Sequence, residues 1–154
     1  MPKKRNIILF VNSVPAEIYA TIRKYGKERS ARYKIAVIRD SKKRRSAAGE
    51  GGEKRVKKKN IPDIEIVCDF SQPEKISECL KEYEDRILAI TCRGEVHIPD
   101  FQKIIPLVPY LRAPSTESLE WATDKVMMRR QLRAYDKNIV PSFLVVSKNS
   151  KDVR

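Results

Sequence analysis

Apolar residues in this chain fall into short blocks of two kinds, continuous runs and spaced repeats. Ile7-Ile8-Leu9-Phe10-Val11 is an unbroken run stopped by Asn12-Ser13, and it predicts a strand over residues 5–12 with both faces covered. Val14-Pro15-Ala16 then opens a different pattern. Ile18, Ile22 and Tyr25 recur at i, i+4 and i+7, one face of a helix. Residues 33–39 contain Ile35, Ala36, Val37 and Ile38, a second strand, and residues 64–70 form a third, rich in β-branched side chains. Ser71-Gln72-Pro73-Glu74 has the spacing of a capping box, with proline allowed in the first turn, and Ile76, Cys79, Leu80 and Tyr83 continue as a helical face. Residues 87–91 read as a fourth strand.

Strand, helix, strand, strand, helix, strand is the order of a mostly parallel sheet covered by helices. The predicted fold is α/β, a three-layer Rossmann-like domain. Ligands of such sheets bind beyond the carboxyl ends of the strands, where strand order reverses. In the common order that crevice lies between strands one and four, which makes Asn12, Ser13, Thr91, Cys92 and Arg93 candidate substrate residues. Further on, Pro99, Pro106 and Pro109 leave room for one short helix over residues 99–105. A helical turn is expected at 116–121. Thr123 is placed to cap a stronger helix over 126–136, with Met128, Leu132 and Tyr135 on one face, and a strand over 143–146 follows Pro141. The division is thus a domain over residues 1–112 and a linker helix with the start of another lobe over 113–154.

Composition narrows the function classes. The chain has 154 residues and is 41% apolar, enough for one domain with its own core. Its apolar runs are far shorter than the roughly 20 residues of a membrane helix, so no membrane partner is expected. Cys68, Cys79 and Cys92 contain no close pair and there is one histidine, His97. This predicts the reduced thiols of a cytoplasmic protein and no metal site.

The formal charge is +13, and more than half of it is local: nine cations against Glu50 and Glu53 lie between Lys42 and Lys59, a net of +7. With Ala47-Ala48-Gly49-Glu50-Gly51-Gly52 between its clusters, this stretch reads as a mobile basic loop over residues 41–60. Lys42, Lys43, Arg44, Arg45, Lys57, Lys58 and Lys59 are its candidate polyanion contacts, and their two clusters resemble a two-part nuclear import signal. No aromatic residue is interleaved for base stacking. A small, basic, non-catalytic α/β adaptor that binds nucleic acid through 42–59 is therefore the alternative reading of the chain.

Several chemistries are excluded by pattern. Strand one runs into Asn12-Ser13-Val14-Pro15 in place of GxGxxG, and GxxxxGK[ST] occurs nowhere. No Ser-His-Asp set can be proposed around the single histidine, His97. His97 is expected at a helix entrance without a chemical role, Cys92 as a buried structural cysteine, and Trp121, Met127 and Met128 as core.

The passage from Arg112 is more specific. Ala113-Pro114-Ser115-Thr116-Glu117-Ser118-Leu119-Glu120-Trp121-Ala122-Thr123-Asp124-Lys125 leads into a helix, then through Asn138-Ile139-Val140-Pro141 towards a strand. An Asp-Lys pair opening an amphipathic helix, followed by a turn ending in proline, resembles the start of the ATP-grasp fold of biotin carboxylase and carbamoyl-phosphate synthetase. In those ligases a Rossmann-like pre-ATP-grasp domain comes first. The resemblance implies that Lys125 contacts ATP phosphates, with Arg129 one turn on facing the same site. ATP and Mg²⁺ would serve the full-length enzyme, a carboxylate–amine (or thiol) ligase. This chain alone would hold neither, and would not turn over. The glycine-rich loop, the Mg²⁺-holding acids and the rest of the small-molecule carboxylate site are expected beyond Arg154. Oligomeric state is left open, a homodimer included.

Overall fold

The structure, a computed structural model, describes residues 5–43 and 61–145. The sheet has four strands, β1 (Ile7–Val11), β2 (Lys34–Asp40), β3 (Ile64–Cys68) and β4 (Ile87–Cys92), all parallel and ordered β3-β2-β1-β4. Leu9 lies opposite Ala36 and Ile90, so β1 is flanked on both edges, and its Ile7, Leu9 and Val11 are fully buried. The predicted three-layer α/β architecture is present.

Period-two alternation sends the two faces of the sheet to different helices. Helix α1 (Ala16–Glu28) covers one face, where Phe10, Ile35 and Val37 pack with Tyr19, and Ile8, Val14, Ile18 and Ile22 close over them. Helices α2 (Pro73–Lys81) and α3 (Ile98–Ile104) serve the other, α2 against β3 and α3 against β4. Ile76, Leu80, Phe101 and Ile104 are all buried there. Each such side chain removed from water is worth about 1.5–3 kcal/mol, so this layer is held by apolar area. A 3-10 turn (Glu95–His97) precedes α3 and another (Ile105–Leu107) ends it.

Local details depart from the pattern reading. No capping box forms at α2: Gln72 is the N-cap without a side-chain bond, because the Ser71 hydroxyl is committed to Asp69 Oδ1 at 2.6 Å. Pro73 does open the helix. β4 leaves Leu88 and Ala89 exposed, and the core under α1 draws its strand residues from β1 and β2.

The chain divides into two compact units, Met1–Thr116 and Glu117–Arg154. Helix α4 (Thr116–Thr123) starts at the boundary, and α5 (Lys125–Tyr135) follows one residue after it ends. Thr123 does not cap α5. Its hydroxyl donates back to the carbonyls of Leu119 and Glu120, and Asp124 is the cap. Neither helix has a buried residue, which corrects the core assignment of Trp121, Met127 and Met128. Phe143, Leu144 and Val145 are in no strand, since no described segment pairs with them; Val146 lies outside the described residues. Among the described residues, no helix is long and apolar enough to cross a membrane.

Candidate functional site

Strand order reverses between β1 and β4, so their carboxyl ends open the crevice expected of this topology. Asn12 and Ser13 leave β1 there. Thr91 and Cys92 end β4, half-buried, and Arg93 follows, exposed. The backbone turns sharply on both sides: Asn12 has φ 65° and Gly94 φ 97°. Asparagine is among the few residues with side chains that tolerate the left-handed region, and glycine enters it freely.

The chemical centre of the crevice is a residue the sequence pattern concealed. Asp100, in the first turn of α3, is 1% exposed. Its Oδ2 accepts from Asn12 Nδ2 at 2.7 Å and from Lys43 Nζ, and Lys103 Nζ lies 3.6 Å from Oδ1. Burial pushes its carboxyl upward, but the bonds from Lys43 and Asn12 and the charges of Lys43 and Lys103 outweigh it, leaving Asp100 below the usual carboxylate range. At neutral pH it is an anion.

That charge orients everything beside it. A carboxylate only accepts, so the nitrogen of the Asn12 amide must face Asp100. The same nitrogen lies 3.3 Å from His97 Nδ1, which therefore accepts, placing the ring proton on Nε2. Nε2 is 3.1 Å from Ser13 Oγ and donates to it. The Ser13 hydroxyl hydrogen is left to point elsewhere. The relay Asp100–Asn12–His97–Ser13 thus presents a hydroxyl donor at the crevice, suited to an oxygen of a carboxylate or phosphate.

A second polar group stands at the ends of β2 and β3. Lys42 Nζ donates to Ser71 Oγ at 2.8 Å and pairs with Asp69 at 3.2 Å, and Asp40 accepts from the Lys42 backbone at 3.0 Å. The side-chain and backbone bonds from Ser71, joined by Lys42, lower Asp69 to about 2. Lys42 and Lys43 are therefore part of the sheet's carboxyl rim, and residues 41–43 are helical. Arg44, Arg45, Lys57, Lys58 and Lys59 lie outside the described residues.

Of the other expected site residues, Cys92 is half-buried, and burial raises its thiol. Lys125 is the first residue of α5, exposed. Asp124 Oδ1 takes the backbone N–H groups of Val126 and Met127 at 2.8 and 3.0 Å, so the donors that a bare helix end would offer an anion are already used. Lys125 offers its ammonium. Arg129 lies with its guanidinium 5.5 Å from the centre of the Phe143 ring. Among the described residues no group of three acidic, histidine or cysteine side chains is arranged to hold a metal ion.

No protein-family model, no curated protein and no solved structure matches the chain. What stands without a relative is a parallel-sheet α/β domain of nucleotide-binding-like form, with a polar crevice at its switch point.

Proposed function

We propose that this chain is the opening lobe of an ATP-grasp type ligase, the pre-ATP-grasp domain with the first helix of the ATP-binding lobe. The observation that carries the reading is Lys125, an exposed cation in the first turn of a helix whose N-cap is Asp124. A cation there opposes the helix dipole, at a cost of about 0.3–1 kcal/mol, and an anionic ligand removes that conflict. ATP phosphates are such a ligand. The Lys125 ammonium would hold them as a point charge, and Asp124 keeps the helix end in place.

The crevice supports the same reading from the other unit. A carboxylate substrate would accept from Ser13, with Arg93 beside it on the neighbouring strand end. ATP supplies the phosphoryl group that activates this carboxylate, for attack by an amine or thiol. Mg²⁺ would be held by acidic residues of the further lobe together with the ATP phosphates. The apolar strip of α5, with Leu132 40% and Tyr135 87% exposed, is the face on which that lobe would pack.

The test is the native transcript past the codon for Arg154. An open frame encoding a glycine-rich turn between strands, then paired acidic or Asn residues, is the expected result. An immediate stop codon would overturn the reading.

A further inference from the structure

We propose that Cys68 and Cys79 are a modification site, a dithiol that hydrogen peroxide converts to a disulfide joining β3 to α2. The pair lies on the α2 side of the sheet, and the argument is independent of the ligase reading.

Burial along β3 alternates, with Ile66 and Cys68 inward and Glu65 and Val67 outward, so Cys68 faces the α2 layer. On α2 the inward residues are Ile76 and Leu80. Cys79 stands between them at the margin of the same face, half-buried, while Cys68 is buried. Because α2 packs directly on β3, the two thiols belong to one layer and neighbour each other, and both are free. Sequence spacing does not suggest this pairing; the packing of α2 on β3 creates it. Burial, reinforced by the neighbouring Cys79 thiol and by Asp40 and Asp69, raises the Cys68 thiol to about 12. Cys68 is thus a poor first nucleophile, and the solvent-reachable Cys79 takes that part.

In the first step the Cys79 sulfur attacks one peroxide oxygen. The O–O bond breaks, the thiol proton leaves with the other oxygen as water, and Cys79 becomes a sulfenic acid. In the second, the Cys68 sulfur attacks the Cys79 sulfur. The S–O bond breaks, and the departing hydroxide takes the Cys68 proton as a second water. Two electrons pass from the dithiol to one peroxide.

The experiment treats the intact chain with hydrogen peroxide, alkylates the remaining thiols and digests with trypsin, which cuts after Lys75 and so separates the two cysteines. The expected product has lost two hydrogen atoms, retains one alkylatable thiol at Cys92, and yields the Cys68 and Cys79 peptides cross-linked until dithiothreitol is added. Cys92→Ser should form the same bridge and retain no alkylatable thiol. Cys68→Ser should stop at a Cys79 sulfenic acid that dimedone traps. Should Cys68→Ser fail to fold, the wild-type peptide map decides alone. A Cys68 that stays alkylatable after treatment, a bridge that includes Cys92, or a cross-link found only between two chains would overturn the proposal.

Discussion

Asp100 keeps its charge at 1% exposure because Lys43, Lys103 and Asn12 all point at it. The two lysine side chains are half or more exposed, so losing the carboxylate lets them rehydrate and strands only Asn12. Asp100→Ala should therefore cost about 1–3 kcal/mol in urea unfolding, less than an ordinary buried ion pair. The pH dependence follows from the direction of the shift. A carboxyl lower in the folded state contributes stability above its unfolded value of about 3.9, and that contribution is lost as pH falls through the folded value. Asp69, held at about 2, acts in the same window. Asp100→Asn should flatten the loss of stability from about pH 5 down to about pH 2 without removing it; an unchanged acid limb would contradict the relay. Little of this was legible in the sequence. An acid in a first helical turn is commonplace, which hides Asp100, and a lone histidine suggests nothing until β1 is placed beside the start of α3. Lys42 and Lys43 read as loop because their cluster continues into Arg44 and Arg45.

Elements were far more legible, because burial on one or both faces imposes a period that tertiary contacts seldom override. β1 through β4, α1 and α2 fall where runs and spacings put them, and the switch point follows from their order. Caps were less so. The pattern points to Thr123 as the cap, and only the geometry shows its neighbour Asp124 accepting from Val126 and Met127. Asp124→Ala should destabilise α5 by about 1 kcal/mol, read as faster amide exchange through its first turn. Lys125→Glu should do the opposite, slowing that exchange by removing a cation from the positive helix end. Exchange unchanged in both variants would place the stability of α5 outside its first turn.

At the scale of the whole molecule, the sheet is supported from both sides, while the unit from Glu117 shows two helices with no buried residue. The proposed ligase reading gives the crevice and Lys125 one purpose. The measurement that tests it most directly is ATP affinity in the protein encoded by the full native frame, wild type against Lys125→Ala. Loss of a charge-assisted phosphate contact, about 1.5–3 kcal/mol, predicts ATP binding weakened roughly ten- to a hundredfold, with the fold intact by circular dichroism. Equal ATP affinity in the two proteins would contradict the assignment of Lys125 and, with it, the central claim.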